Sequence, residues 1–256
     1  ATRRSAKRGL TDYTPFLDAN GLKGARIGVA RTLFGSDQRV LKIMESSLDA
    51  MKQAGATLID VELKPSHAFG ETEIEVLLFE FKTDLDAYLA TCTDVPVRSM
   101  ADVVKFNEAN RARALPYFGQ ERMEAALKKG PLTSKKYLAA LEKNLRLART
   151  EGIHAVMTKR KLDALVCPSG GPAWVIDLVS GDGIRVWDMD STSYAAVAGT
   201  PHITVPAGYI FGLPVGISFF AKAWQEPTLI KLAYAFEQAT NVRKPPQFLP
   251  TADLSV

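Results

Sequence analysis

Apolar residues recur along this chain with two different periods, and the points where one period gives way to the other divide it into three stretches. In the first, Ala25-Arg-Ile-Gly-Val29 alternates as a strand does. The run from Gln38 to Ala54 then sets Val40, Leu41, Met44, Leu48 and Met51 on one helical face before Gly55 stops it. Thr57-Leu-Ile-Asp-Val61 follows as a second strand. Strand, helix and strand in that order predict a βαβ unit with a right-handed crossover, hence parallel strands with a helix packed on the sheet.

From Gly70 to Thr158 the period is almost wholly helical. Thr72 with Glu75 three residues on reads as a capping box, opening a helix whose Ile74, Leu77, Leu78, Phe81, Leu85 and Tyr88 share one face. Ser99 with Asp102 is a further cap before Val103, Val104 and Phe106. Another helix covers Glu121 to Lys128. The longest follows Thr133, with Tyr137, Leu138, Leu141 and Leu145 on its buried stripe and Gly152 as its weak point. This block is expected to form a helical layer over the sheet.

In the third stretch Leu162-Asp-Ala-Leu-Val166 is a short strand ended by Pro168, and a loop rich in Gly and Asp leads to a helix running to Ala198 and stopped by Gly199. His202 to Val205 and Val215 to Phe220 read as an antiparallel pair joined through Gly208 and Gly212. Pro227 suits the first position of a last helix carrying Leu229, Leu232, Ala233 and Phe236. The whole predicts an α/β fold, a mixed β-sheet layered with helices, with no internal repeat.

Composition narrows the function. With 46% hydrophobic residues in 256, the chain has an ordinary core; its net charge of +4 owes part to Arg3, Arg4, Lys7 and Arg8, a frayed, solvated tail over residues 1–10. The remaining cations are too dispersed for a nucleic-acid partner or an anionic membrane, and neither is expected. Cys92 and Cys167 lie far apart without a CxxC or a His-rich neighbourhood, so both read as small buried hydrophobes, and no metal site is expected. No secretion signal opens the chain, and the last apolar run is broken by Pro206, Gly208, Gly212 and Pro214. A reducing, cytoplasmic setting is the expectation, unless a signal belongs to residues upstream. Gly21-Leu-Lys-Gly-Ala-Arg-Ile-Gly28 puts its glycines before a strand, which is no dinucleotide fingerprint, and no cofactor is expected. His67 and His154 stand in unpaired surroundings and read as surface or satisfied polar residues.

Ser193-Tyr-Ala-Ala-Val-Ala-Gly-Thr-Pro-His-Ile-Thr-Val-Pro-Ala-Gly-Tyr209, Gly212 to Phe220 and Glu226 to Glu237 together resemble the closing segment of the amidase signature family, serine hydrolases that cleave carboxamide bonds. The likeness extends upstream through Asp12-Tyr-Thr14, Phe16-Leu-Asp18, Gly21 to Val29, Tyr117-Phe-Gly-Gln-Glu121, Leu162 to Pro168 and Pro172-Ala-Trp174, with the peptide-amidase and general amidase branch as the best match. In that family one serine attacks, a second relays the proton and a lysine is the base, while backbone N–H groups of a glycine-rich loop stabilise the oxyanion. No Gly-Gly-Ser-Ser-Gly-Gly-like loop occurs here. The resemblance therefore implies that residues 1–256 are the C-terminal portion of an amidase domain, without catalytic residues of its own and inactive alone. Its partners would be the missing N-terminal half or a second copy of itself, and its substrate a small-molecule or peptide amide.

Two internal constellations compete with that reading. Ser169-Gly170-Gly171, with Lys159 and Lys161 nearby in sequence, has the look of a nucleophile loop but ends a strand, where such a run is a turn. Cys167 with His202 is a conceivable pair, although a cysteine ending an apolar strand is core packing. The resemblance favours substrate binding instead: Trp174 as an apolar wall, with Asp190, Ser191 and Ser193 as polar contacts from the loop and helix that face the catalytic serine in relatives. Structural roles account for the same residues. Asp190 suits an N-cap, Ser191 its support and Trp174 the core. Asp177, Asp182 and Asp188 read as a solvated acidic loop rather than a seat for a cationic group. A non-catalytic binding or assembly subunit that completes a pocket with a separate chain is the alternative function, and an independent small-ligand-binding domain a third.

Overall fold

A computed structural model describes residues 5, 8–65, 67–179 and 192–248. The chain forms two compact units, one drawn from Ala1–Ser66, Arg146–Val175 and Ile184–Val256, the other from His67–Leu145 and Ile176–Gly183. In chain order, β1 (Arg26–Ala30), α1 (Gln38–Gln53) and β2 (Thr57–Val61) open the first unit. Helices α2 (His67–Thr91), α3 (Met100–Ala109), α4 (Arg111–Ala114), α5 (Glu121–Leu127) and α6 (Lys135–Asn144) make the second. The chain re-enters the first through a π-wound stretch, Leu145–His154, followed by α7 (Ala155–Arg160) and β3 (Ala164–Pro168). Then come α8 (Thr192–Ala198), β4 (His202–Ile210), β5 (Leu213–Phe220) and α9 (Glu226–Thr240).

The first unit holds a five-stranded mixed sheet in the order β2-β1-β3-β5-β4. β1 runs parallel to β2 and to β3, as the strand-helix-strand pattern requires, and β5 runs antiparallel to β3 and β4. α1 and α9 pack on each other and on β4, and Phe219 of β5 meets Phe236 of α9 with ring centroids 6.0 Å apart. Every residue of β3 is buried, the mark of a strand covered on both faces. α1 buries Val40, Met44, Leu48 and Met51 as its periodicity predicts, and adds Ser47, whose hydroxyl is satisfied by the Ile43 carbonyl at 2.9 Å.

The β4–β5 hairpin is longer and tighter than the sequence suggests. β4 does not end at Val205; it passes a register shift between Pro206 and Gly208 and runs on to Ile210, which pairs with Leu213. Pro206 is tolerated because β4 lies at the sheet edge, where a missing N–H breaks no ladder. The connection is only Phe211-Gly212, with φ of 51° and 74°, the two left-handed residues of a type I′ turn.

The second unit corrects the sequence on two helices. α2 begins at His67, so Thr72 sits inside it and gives its hydroxyl to the Phe69 carbonyl, while Glu75 turns to Lys129 and Lys136 rather than to a cap. Its buried face is Phe69, Val76, Phe79 and Leu89; Leu77, Phe81 and Tyr88 of the predicted stripe are exposed. Apolar residues occur all round this helix, and Tyr137 and Ala140 of α6 select which of them form a core with Val76 and Phe79. For the same reason α6 buries Tyr137, Ala140 and Asn144 and leaves Leu138 exposed. Its N-cap is Ser134, one residue beyond the predicted Thr133. The Ser99 cap of α3 forms as expected, with Ser99 Oγ accepting from Asp102 N and donating to Asp102 Oδ2. Gly152 is the predicted weak point, a non-helical break with φ −87° and ψ −108°.

Candidate functional site

β3 delivers the chain to the site. Its ladder continues one residue past Pro168, where Ser169 N donates to the Gly216 carbonyl at 2.9 Å. Cys167 lies opposite Ser218, and Ser218 opposite Thr204, so the side chains of Ser169, Ser218 and Thr204 point to one face of three adjacent strands. Their hydroxyls close a triangle: Ser169 Oγ is 2.7 Å from Ser218 Oγ and hydrogen-bonded to Thr204 Oγ1, and Thr204 Oγ1 is 2.8 Å from Ser218 Oγ. Three hydroxyls in a ring each donate once and accept once, which satisfies the fully buried Ser218 with no charged group.

Gly216 makes the ring possible, since a Cβ there would stand 2.8 Å from Ser169 Oγ and 3.2 Å from Thr204 Cγ2. The ring fastens the root of the segment that follows β3. Beyond it the chain rises into solvent: Trp174 is 44% exposed, and Val175, Ile176, Leu178 and Val179 are exposed too. Trp174 is therefore not a core residue. Asp177 Oδ1 accepts from Val179 N at 2.8 Å, a local turn bond within this segment. Asp182, Asp188, Asp190 and Ser191 lie outside the described residues. Ser193 is half-buried in the first turn of α8.

A family model described as Amidase matches residues 5–230. The chain belongs to the amidase signature family. Its sequence is 34% identical over 245 residues to a probable amidase of Arabidopsis thaliana, covering 93% of this chain and 42% of that protein. Its fold is similar to native peptide amidase from Stenotrophomonas maltophilia, at 41% identity and a TM-score of 0.84, over 94% of this chain and 48% of that one. A peptide amidase in complex with the competitive inhibitor chymostatin gives 42% identity and a TM-score of 0.86 over the same shares. The chain spans about half the length, or less, of the relatives it matches. The mixed sheet layered with helices is the amidase signature fold.

Neither internal constellation makes an amidase centre. Among the described residues Ser169 hydrogen-bonds through its side chain to two neutral hydroxyls and to no base. Lys159 and Lys161 precede β3 while Ser169 follows it, and the length of the strand separates them. Cys167 is fully buried, and the strand register sets it roughly 12 Å from His202, Cα to Cα, given strand spacing near 4.8 Å and a rise near 3.4 Å. That is too far for a direct thiol–imidazole bond. Burial pushes the His202 imidazole below its ordinary pKa, and its ring stacks on Phe220 with centroids 6.3 Å apart. Cys92 is free and only half-buried, at the end of α2.

A cleft of about 610 Å3 opens beside the ends of β1 and β2, lined by Arg31, Thr32, Asp60, Glu62, Lys159 and Arg160 among others. Arg31 is already engaged there by Glu45 at 2.6 Å and Asp60 at 2.8 Å. Among the described residues, no three of His, Cys, Asp and Glu gather as metal ligands, and no helix is long and apolar enough to cross a membrane. The sequence singles out Ser169, but not Thr204 and Ser218, which share the ring with it. Their alternation with Ile203, Ile217 and Phe219 was visible; the register that unites them was not.

Proposed function

We propose that this chain contributes the C-terminal portion of an amidase that hydrolyses carboxamide bonds, peptide amides among them, by a Ser-Ser-Lys mechanism whose reacting residues lie outside these 256. The observation that carries this reading is the 42% identity and TM-score of 0.86 to a peptide amidase with an inhibitor bound. In this portion the hydroxyl ring of Ser169, Thr204 and Ser218 fixes the start of a substrate wall, Trp174 presents its indole to the acyl or amine portion, and Asp190, Ser191 and Ser193 supply polar contacts. Such a wall orients the amide and excludes water while the chemistry proceeds elsewhere.

The test is an assay of the isolated chain on a peptide amide and an aryl amide, alone and mixed with a polypeptide bearing the Ser-Ser-Lys elements. The expected result is no turnover alone and turnover in the mixture, with Trp174→Ala raising KM. Turnover by the isolated chain that disappears on Ser169→Ala or Cys167→Ala would overturn the reading. Edge strands β2 and β4 and the exposed apolar residues after Trp174 support the further proposal that the isolated chain associates with itself when that polypeptide is absent. A single monomeric species in sedimentation at micromolar concentration would count against it.

A further inference from the structure

Cationic and imidazole side chains that the proposed reaction does not use meet around the start of α7. His154 ends the π-wound stretch, past its break at Gly152, with Arg149 before that break and Thr158 four residues later on the same helical face. Arg149 Nε donates to the Ala198 carbonyl at 2.5 Å where α8 ends, and its Nη2 lies 3.0 Å from where a Cβ on Gly199 would stand. Lys222 Nζ donates to Thr158 Oγ1 at 2.8 Å, and the residue before it, Ala221, bonds the Pro201 carbonyl. The π-wound stretch, the Ala198–Pro201 turn and the exit from β5 thus converge on one corner.

Two buried polar atoms on these segments have no hydrogen-bond partner among the described residues, His154 Nε2 and Thr200 Oγ1. His154 is therefore not a satisfied polar residue, as its sequence surroundings suggest. Burial, then Lys222 and Arg149, hold its imidazole below the ordinary pKa. Among the described residues neither cation meets a carboxylate, and the neighbouring Glu151 is taken by Arg146 and Lys64. Every uncommitted group can donate: the ammonium, the guanidinium, the threonine hydroxyl and the Nε2–H tautomer of histidine. Such a set repels a cation, and a neutral guest leaves its charge uncompensated.

We propose that this corner binds a small inorganic oxyanion of the size of sulfate or phosphate, held by Lys222 and Arg149 with Thr200 and His154 as neutral donors. Charge-assisted bonds from lysine and arginine are the strong ones, and one anion would satisfy both orphaned atoms. It would also tie the end of α8, the helix that carries Ser193, to α7.

The test is thermal unfolding and calorimetric titration of the chain with sodium sulfate at constant ionic strength, chloride making up the balance. Sulfate is expected to raise the melting temperature saturably. Thr200→Val and Lys222→Gln should each weaken binding about tenfold, while Lys159→Gln, in the separate cleft beside β1 and β2, leaves it unchanged. Sulfate binding should tighten as pH falls and His154, whose imidazole burial holds below its ordinary pKa, gains its proton, and His154→Gln should flatten that dependence. A melting shift that follows ionic strength regardless of the anion, or a sulfate affinity unchanged in Thr200→Val, would overturn the proposal. Thr200→Val keeps the side-chain shape, so it decides the matter even if Lys222→Gln fails to fold.

Discussion

Ser169 and Gly216 are fitted to each other: the serine nitrogen bonds the glycine carbonyl at 2.9 Å, and its hydroxyl fills the space that a Cβ on residue 216 would enter, 2.8 Å away. Gly216→Ala must displace Ser169 or Thr204 and break the hydroxyl ring, at a cost of about 1–3 kcal/mol. Ser169→Ala in the same chain should recover part of that loss. Urea unfolding of the two single variants and the double variant measures the coupling, and strictly additive losses would show that the two residues do not share this space.

Glu75 in α2 accepts from Lys129 Nζ with both carboxylate oxygens at 2.8 Å, the two side chains being 18% and 17% exposed, while its other partner, Lys136, is 70% exposed. Lys129 holds the Glu75 carboxyl below its ordinary pKa and also lies 5.5 Å from the Phe79 ring centre. Lys129→Met should therefore cost about 1–3 kcal/mol and Lys136→Met less than about 1 kcal/mol, because water screens the exposed pair. Equal losses in denaturant titrations would contradict this ranking.

Acid should destabilise the first unit through its histidines. Burial holds folded His202 below the 6.5 expected when unfolded, so near and below that pH the unfolded chain binds the extra proton and stability falls as pH falls. His154 adds in the same direction. His202→Phe keeps a ring against Phe220 and removes one titrating group, so its stability should decline less between about pH 7 and about pH 5. An unaltered slope would show that His202 does not drive the loss.

Asp37 caps α1 by accepting from Arg39 N at 2.9 Å and pairs with Arg39 Nη2 at 2.7 Å, which holds its carboxyl at about 2. Its contribution is complete above the ordinary 3.8 and disappears as pH falls toward about 2. Asp37→Ala should lose about 1 kcal/mol at neutral pH, and Asp37→Ser less, since a hydroxyl also caps. Thermal unfolding at pH 7 reads the difference.

Local chemistry determined much of this molecule. The α1 face, the Ser99 cap and the break at Gly152 follow from residues a few places apart, whose side chains meet whatever the rest of the chain does, and the parallel pairing of β1 with β2 follows from the order of strand, helix and strand. The amidase likeness was equally legible, because it lies in runs of adjacent residues. Tertiary contact decided the rest. α2 carries apolar residues around its circumference, so only the arrival of Tyr137 and Ala140 chose Val76 and Phe79 over Leu77 and Phe81. The hydroxyl ring joins residues 35 and 49 positions from Ser169, and a one-residue slip of β5 would turn Ser218 to the opposite face of the sheet. Burial likewise left His154 Nε2 without a hydrogen-bond partner among the described residues, since solvation depends on the assembled surroundings rather than on neighbours in sequence.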